Sequence, residues 1–345
     1  MRLLMLNHEF TVTGASTQFF TLAQHLVGTG HVVSVASIGP ADGPMRERFA
    51  SLSVPIITSV DLTSFDAAIA NTICAAPAVV LVAKHIPTIW WQHETEVGLR
   101  LLMQNPTWVE AFDIAAVIIF QTDFQRDTIY RSFTYRRSVS DLPVIPYGVA
   151  LPDTLARDRV APKQRSIRVV SVGTVEPRKR HDDLIRAVSR LAPDALECVI
   201  VGKWFGLPEE VVQILQGRGQ QFHLTDEVAP ADAAAWIESA DIFCLCSSSE
   251  SFPISALEAG LLHKPLILTD LPYYRGHYEH GQNCLLYPVG DIELLAGTIS
   301  VLAASEDLRA RLGSAAHQLA SRHTQESFFA RFDALLHAVA GTRKG

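Results

Sequence analysis

The chain lacks the features that mark membrane-spanning and disulfide-stapled proteins. No stretch reaches the roughly 18 uninterrupted apolar residues that a membrane span requires, and the apolar run at the N-terminus is broken at Asn7, too early for a signal peptide. The five cysteines are odd in number, and Cys198, Cys244 and Cys246 lie inside apolar runs. This pattern predicts buried thiols in a reducing compartment. We therefore expect a cytoplasmic protein, with at most peripheral contact at the inner membrane face.

Positive charge is also scarce. Lys and Arg number 29 against 36 Asp and Glu, a formal net charge of −7, which argues against non-specific binding of nucleic acid. The chain has 345 residues, 48% of them hydrophobic, enough for about two globular domains with substantial cores.

Several common catalytic motifs are missing. The sequence contains no G-x-x-x-x-G-K-[ST], no G-x-S-x-G, no H-E-x-x-H, and no G-x-G-x-x-G after a strand. The segment that starts at His93-Glu94 resembles the beginning of a zinc helix but lacks the second histidine. These absences disfavour P-loop nucleotide hydrolysis, serine-hydrolase chemistry, zinc proteolysis and classical dinucleotide binding.

What is present is a repeated alternation of short apolar runs with longer helical patterns, which is typical of parallel sheets covered by helices. Strands are predicted at 2–7, 31–37, 65–71, 88–93 and 116–121, and again at 168–173, 197–203, 241–247, 265–270 and 284–288. We therefore predict two doubly wound α/β domains over 1–150 and 151–323. The tail 324–345 carries an apolar stripe and is predicted to pack as a helix rather than remain free.

The most informative segment contains two glutamates separated by seven residues, Glu250 and Glu258. Pro253 occupies a favourable first helical position, so a helix is predicted from about residue 253. Glu258 then lies about 7.5 Å along the helix axis, and free backbone N–H groups around Phe252 to Ser255 lie at the positive end of the helix dipole. This arrangement suits a sugar, a diphosphate and a ribose. A capped surface helix with two solvated glutamates is an equal alternative from the spacing alone.

Further segments match a known set of motifs. They are Gly14-Ala15-Ser16, Gly30-His31-x-Val33, Trp90-Trp91-Gln92-His93-Glu94, Val144 to Val149, Val172 to Lys179, and Glu250-x7-Glu258 followed by Ala259-Gly260. Together they resemble retaining glycosyltransferase family 4 over essentially the whole chain. The resemblance implies the GT-B fold: two Rossmann-like, doubly wound domains facing across a cleft, with the C-terminal helix crossing back to the first domain.

The same resemblance implies transfer of a hexosyl unit from a nucleoside-diphosphate sugar to a hydroxyl acceptor, which is a glycan, a lipid-linked molecule or a small molecule. Glu258 would bind the ribose, Glu250 the donor sugar, and Lys179 with Arg178 the diphosphate. The implied catalytic residues are Glu250, His93 and Lys179. The remaining implied donor-binding residues are Gly14, Gly173, Thr174, Gly202, Ser251, Phe252, Pro253 and Ile254. No metal or other cofactor is implied, and front-face attack assisted by the leaving diphosphate is the implied mechanism.

Three departures from the family pattern leave the donor open. Thr174 stands where many members carry a phosphate-binding arginine, Arg180 replaces the customary glycine, and Lys203-Trp204 replaces small residues. A sugar-nucleotide epimerase, a phosphorylase, or a non-catalytic sugar-nucleotide-binding relative are the rival readings. The chain is expected to be a monomer or a homodimer.

One basic and aromatic cluster occupies residues 126–137 of the first domain. It suits either an anionic acceptor or a membrane surface. The simpler alternative is a solvated helix and loop.

Overall fold

The structure is a computed structural model that describes residues 1–40, 42–165 and 167–341. The described chain forms two compact units. The first comprises Met1–Gly148 with the chain from Glu326 onward, and the second comprises Val149–Gln325.

The first unit is built on a parallel sheet that has six strands within the described residues, in the order β3-β2-β1-β4-β5-β6. The strands are β1 Arg2–Asn7, β2 Val32–Ser37, β3 Ile56–Ile57, β4 Ala67–Asn71, β5 Thr88–Trp91 and β6 Val117–Ile119. Strands β4, β5 and β6 are buried along their whole length, as expected for a parallel sheet covered on both faces. Strand β3 was not predicted, because its two residues pair only at the sheet edge.

Helices cover this sheet: α1 Gly14–Gly28, α2 Pro44–Ser51, α3 Ala76–Val82, α4 Glu96–Gln104, α5 Glu110–Ile114 and α6 Arg131–Thr134. Helix α1 buries Phe19, Leu22, Ala23 and Leu26 on one face. Its first turn is capped by Thr13, whose hydroxyl accepts a hydrogen bond from the Ser16 N–H at 3.2 Å.

The second unit repeats this plan in the order β12-β11-β10-β7-β8-β9. Its described strands are β7 Ile167–Val172, β8 Leu196–Val201, β9 Phe222–Leu224, β10 Ile242–Leu245, β11 Leu266–Thr269 and β12 Leu285–Tyr287. Its helices are α7 His181–Ser189, α8 Glu209–Gly217, α9 Pro230–Glu238, α10 Ile254–Leu261, α11 Ile292–Ala304 and α12 Glu306–Ala320. The unpredicted strand is again a short one at the edge, β9, which pairs with β8. The prediction of two doubly wound α/β sheets is confirmed.

Both sheets have the same topology: the first three strands along the chain are added outward on one side of the sheet and the next three outward on the other side, so that the order of strands reverses in the middle. The reversal falls between β1 and β4 in the first sheet and between β7 and β10 in the second. Ligands of doubly wound proteins bind outside the carboxyl ends of the strands at such a switch point. The loops that follow these four strands are therefore the places to look for function.

The last described helix, α13 Gln325–Gly341, packs on the first unit. Its buried residues are Phe328, Phe332, Leu336 and Val339. Phe328 stacks on Trp91 with ring centroids 5.2 Å apart, and the Asp333 carboxylate lies 2.8 Å from Nε2 of His25 on α1. The apolar stripe of the tail thus covers the end of β5, while residues 342–345 of the predicted tail lie outside the described residues.

Candidate active site

Two glycines shape the carboxyl edge of the second sheet. Gly173 follows β7 and Gly202 follows β8, with φ of 155° and 149°. A Cβ on Gly202 would lie 2.2 Å from the Gly173 carbonyl oxygen, so no larger residue fits there without a backbone shift. A Cβ on Gly173 would meet the Lys179 side chain at 3.6 Å. The glycines therefore bring the β7 loop, Lys179 and the end of β8 together.

Lys179 and Glu250 form the centre of this edge. The Lys179 Nζ lies 2.5 Å from the Glu250 Oε1, and the Ser247 hydroxyl donates to the same oxygen at 2.6 Å. An Arg178 guanidinium nitrogen lies 3.5 Å from the other carboxylate oxygen. Burial opposes ionisation of Glu250, but the two cations and these hydrogen bonds outweigh it and lower its pKa. The loop after β7 and the loop after β10 thus meet at the switch point through a buried ion pair.

The residues directly before α7 set the positions of Lys179 and Arg178. Residues Pro177–Lys179 form a short 3-10 turn, and Arg180 follows in the left-handed conformation with φ 50°. A glycine would adopt this conformation with less strain, and the Arg180 guanidinium binds both Asp183 oxygens, at 2.6 and 2.9 Å. Arg178 donates to the Ser249 carbonyl at 2.9 Å, which ties the two loops together.

Helix α10 begins at Ile254, one residue later than predicted, and Pro253 is its N-cap. The prediction that Pro253 is the first helical residue is wrong because its ψ of 87° is not helical. The backbone N–H groups of Phe252, Ile254 and Ser255 donate to no backbone carbonyl in the described part of the chain. They remain available at the positive end of the helix. Ser251 is half-buried beside them, and Phe252 is buried against His277 and His323, with ring centroids 5.4 and 5.1 Å away.

Glu258 lies one turn further along α10 and differs from Glu250. Its carboxylate forms no hydrogen bond or ion pair among the described residues. Burial alone raises its pKa to about 7. A half-buried carboxylate without a protein partner is suited to accept hydrogen bonds from the hydroxyls of a ligand.

Two further residues at this edge were not predicted from the sequence. His181 is the first residue of α7 and is 2% exposed, and neither ring nitrogen has a partner among the described residues. Burial lowers its pKa to about 3, and the nearby Lys179 acts in the same direction. The Tyr274 hydroxyl is also buried without a partner, and burial and Glu250 raise its pKa. The position of His181 directly after Lys179-Arg180 was the available sequence signal.

The predicted site residues of the first unit lie at the carboxyl edge of the first sheet. His93 follows β5 and is 8% exposed. Its Nδ1 hydrogen-bonds the Tyr147 hydroxyl, and its Nε2 is buried without a partner in the described chain. Burial lowers the pKa of His93 to about 3, so the imidazole is neutral near pH 7. Burial raises the pKa of the adjacent Glu94 to about 7, although it accepts a hydrogen bond from the Ile73 N–H at 2.9 Å.

Apart from Glu94, the buried polar side chains around His93 are uncharged. Those at the ends of β1, β4, β5 and β6 are Asn7, Asn71, Thr72, Gln92, Gln121 and Thr122. Both amide atoms of Gln92 and the side-chain oxygen of Gln121 have no partner among the described residues. Thr72 has φ 71°, an uncommon conformation for a β-branched residue, and its hydroxyl is 3.1 Å from the His8 ring across the switch point.

Gly14 is the first residue of α1 and is exposed. A Cβ at this position would have no described atom within 4 Å, so the space in front of it is open. Its backbone does not adopt a conformation that requires glycine. Any need for glycine here would therefore come from the close approach of a ligand.

The basic cluster at 126–137 is partly occupied by structural contacts. Arg126 binds Asp123 and Asp127 at 2.8 and 2.6 Å. The Arg137 guanidinium donates to the carbonyls at and after the C-terminus of α5, at 2.6 to 2.8 Å. These contacts favour the simpler reading for those two arginines, a stabilising rather than a ligand-binding role.

The described residues contain neither a candidate metal cluster nor a candidate membrane-spanning helix. No group of three or more His, Cys, Asp or Glu side chains is placed to hold a metal ion within those residues. No helix in the same part of the chain is long and apolar enough to cross a membrane. The five cysteines are free thiols, four of them buried.

Comparison with protein families finds a match in the second unit. Residues 153–319 match the family described as Glycosyl transferases group 1. A D-inositol 3-phosphate glycosyltransferase of Kribbella flavida is 28% identical over 174 residues, which are 47% of this chain and 41% of that protein. The match thus spans less than half the length of this curated relative.

Comparison with solved structures covers nearly the whole chain. Anabaena Alr3699/HepE, solved in complex with UDP and glucose, is 18% identical with a TM-score of 0.79, and the match covers 98% of this chain and 100% of that one. Sucrose-phosphate synthase of Thermosynechococcus elongatus is 15% identical with a TM-score of 0.80 over 99% of each chain. At such identities the likeness establishes the fold. The chain therefore has the GT-B fold, and the match to the Glycosyl transferases group 1 family lies in its second unit.

Proposed function

We propose that this protein is a retaining glycosyltransferase of family 4 that moves a hexosyl unit from a nucleoside-diphosphate sugar to a hydroxyl acceptor. The group 1 domain and the glycosyltransferase named among its relatives support the reaction class. The Anabaena structure with UDP and glucose supports a nucleoside-diphosphate sugar as the donor.

The observation that carries the proposal is the charge arrangement at the carboxyl edge of the second sheet. Lys179 and Arg178 converge on buried Glu250 next to the free N–H groups before α10, while Glu258 has no protein partner. A diphosphate needs cations and N–H donors, and a ribose needs a hydrogen-bond acceptor for its hydroxyls. The edge therefore offers complementary groups for both parts of one donor molecule.

In the proposed reaction, Glu258 accepts hydrogen bonds from the ribose, and Lys179 and Arg178 bind the diphosphate beside Gly173, Thr174 and Gly202. The segment Ser251 to Ile254 donates backbone hydrogen bonds, and Glu250 orients Lys179 and contacts the donor sugar. Gly14 and His93 are the contributions of the first unit to substrate binding.

The chemical step breaks the bond between sugar C1 and the β-phosphate oxygen and forms a bond between C1 and the acceptor oxygen on the same face. The acceptor hydroxyl proton passes to the departing phosphate oxygen. Negative charge grows on the diphosphate as the first bond breaks, and Lys179 and Arg178 are placed to stabilise it. The proposal requires no metal because these two cations, with the N–H groups before α10, provide that stabilisation.

The test is binding and turnover with a panel of nucleoside-diphosphate sugars, starting with UDP-glucose and UDP. A ligand present at 100 times its Kd stabilises the folded protein by about 2.7 kcal/mol, which a thermal-shift measurement resolves. The matched pair of variants is Glu258→Gln, which replaces the charged ribose acceptor with a neutral amide, and Glu293→Gln, whose side chain is 80% exposed. We expect only the first to reduce the shift.

The anomeric configuration of the product, read by NMR, tests retention. Donor hydrolysis without acceptor, followed by product formation when acceptors are added, distinguishes a transferase from a non-catalytic binder. Absence of a shift with every donor, or an absolute and reversible requirement for Mg²⁺ or Mn²⁺, would contradict the proposal.

A further inference from the structure

The His93 ring is held by two aromatic neighbours. Tyr147 lies nearly parallel to it, with ring centroids 5.6 Å apart and planes 12° apart, and the Tyr147 hydroxyl meets His93 Nδ1. Trp91 contacts both rings, with centroids 4.6 Å from His93 and 5.8 Å from Tyr147. Packing against Trp91 and Tyr147 therefore fixes the orientation of the His93 ring. The hydrogen bond from Tyr147 reaches only one of the two ring nitrogens, Nδ1.

The direction of this hydrogen bond follows from acidity. A phenol has an ordinary pKa near 10 and is a far stronger acid than the N–H of a neutral imidazole, so the Tyr147 hydroxyl donates and Nδ1 accepts. A neutral imidazole with Nδ1 as acceptor carries its hydrogen on Nε2. Nε2 is the ring nitrogen that has no partner among the described residues.

We propose that Tyr147 is a positioning residue, which holds His93 as the neutral tautomer with hydrogen on Nε2 so that this N–H donates to a sugar hydroxyl oxygen at the carboxyl edge of the first sheet. The role of the sugar rests on the proposed function. A buried donor without a partner costs free energy, and a ligand hydroxyl that pairs with it recovers that loss. The low pKa of His93 keeps the ring uncharged throughout the range in which the enzyme would work.

The position of Tyr147 makes a clean variant available. Its ring packs on Trp91 and His93 and is 4% exposed, so Tyr147→Phe removes the hydroxyl and keeps the aromatic packing. Tyr135→Phe is the matched control, because Tyr135 lies in the same unit and is 56% exposed.

The first measurement needs no substrate. Nitrogen-15 NMR of the full-length protein with labelled histidine, with the His93 signals identified by their loss in His93→Gln, reports which ring nitrogen carries hydrogen. We expect hydrogen on Nε2 in the wild type and in Tyr135→Phe, and a mixture of both tautomers in Tyr147→Phe. Hydrogen on Nδ1 in the wild type, or an unchanged spectrum in Tyr147→Phe, would overturn the proposal.

The second measurement is a double-mutant cycle on turnover of the donor that binds in the panel above. Tyr147→Phe should lower turnover about three- to tenfold, as expected for one hydrogen bond. In the His93→Gln background, where the amide N–H supplies a donor without a tautomer, the same change should have less than about a twofold effect. Equal losses in both backgrounds would mean that Tyr147 is merely structural and would overturn the proposal.

The proposed function and the proposed role of Tyr147 can be refuted independently of each other. Tyr147→Phe should leave the thermal shift with UDP unchanged, because the proposed nucleotide-binding residues belong to the second unit. If no nucleotide binds at all, the proposed function fails while the tautomer measurement still decides the role of Tyr147. If UDP binds and the tautomer is wrong, only the inference about Tyr147 fails.

Discussion

The two units share a strand topology but differ in the chemistry of their carboxyl edges. In the second unit, the loops after β7 and β10 bring Lys179, Arg178 and Glu250 into contact, with Glu258 nearby on α10. In the first unit, the corresponding edge carries mainly buried amides and hydroxyls around neutral His93. The same topology therefore carries charged side chains at the carboxyl edge of the second sheet, the charged edge, and mainly uncharged ones at the carboxyl edge of the first sheet, the uncharged edge.

This difference indicates what each edge can bind. Charged groups suit a diphosphate, because they offset its negative charge, whereas uncharged donors and acceptors suit the hydroxyls of a sugar or an acceptor. The edges are also supported differently. The charged edge is held by ion pairs between its own loops, while the uncharged edge depends on Trp91, which packs against Phe328 and Phe332 of α13.

The largest expected effect tests that support. Phe332 is fully buried and contacts Trp91, so Phe332→Ala should reduce the free energy of unfolding by about 3–5 kcal/mol. Urea unfolding measures the loss, and Phe205→Ala, which removes a ring that is 68% exposed, is the control. Binding of UDP to the remaining folded protein should be unchanged. A loss no greater than in Phe205→Ala would show that α13 does not support the uncharged edge.

The next effect concerns the charged edge. Lys179→Met keeps most of the side-chain volume but removes the charge, and turnover should fall about 10²- to 10³-fold because charge on the leaving diphosphate is no longer stabilised. Lys179→Arg should recover part of the activity. Lys84→Met, at a side chain 53% exposed in the first unit, should behave as the wild type. Normal turnover in Lys179→Met, with a donor that binds, would remove Lys179 from the site.

The sequence predicted the sheets better than the contacts within the site. Ten strands were predicted because each lies in an apolar run, including the short edge strands β6 and β12. Strands β3 and β9 were missed because their two or three residues lie in no such run. Predicted strand ends differ from the structure by a residue or more, as at β5, where His93 lies beyond the strand rather than inside it.

The motifs indicated Glu250 and Lys179 as candidates but not their ion pair, since these residues are 71 positions apart and meet only through the switch point. Tyr147 was part of a quoted motif, yet its contact with His93 spans 54 positions. His181 was missed although it directly follows Lys179-Arg180, and Tyr274 was missed because nothing in its local sequence distinguishes an unpartnered buried polar group from an ordinary core residue.

A smaller effect separates the two glutamates of the charged edge. Glu258→Gln should weaken UDP binding about tenfold or more, because a hydrogen bond to a charged acceptor is worth about 1.5–3 kcal/mol. Burial raises the pKa of Glu258 to about 7, so its ionised fraction, and with it the affinity, should rise as pH increases from 6 to 8. Calorimetry measures the UDP affinity of the wild type and of the variant at several pH values. Titration of the phosphate changes both affinities equally, so it cancels in their ratio. The affinity ratio of wild type to variant should grow with pH, and a constant ratio would contradict the role of Glu258.

The smallest expected effect concerns a feature that both edges share, a buried neutral histidine. Burial lowers the pKa of His93 and of His181 to about 3, whereas in the unfolded chain each has an ordinary pKa of about 6.5. Because the folded-state pKa is depressed, the stability that each contributes is present above pH 6.5 and is lost progressively as pH falls toward 3. At pH 5, proton uptake by the unfolded chain costs about 2 kcal/mol per histidine.

Urea unfolding of the wild type and of His181→Gln at pH 7.5 and pH 5 measures this contribution. The variant is expected to be less stable than the wild type at pH 7.5, since glutamine fits the buried site poorly, but it should lose about 2 kcal/mol less than the wild type on acidification. His85→Gln, at an exposed position of the first unit, should lose as much as the wild type. If His181→Gln and the wild type lose stability equally between the two pH values, then His181 is protonated in the folded protein near pH 5, and the charged edge contains a third cation beside Lys179 and Arg178 rather than a neutral ring.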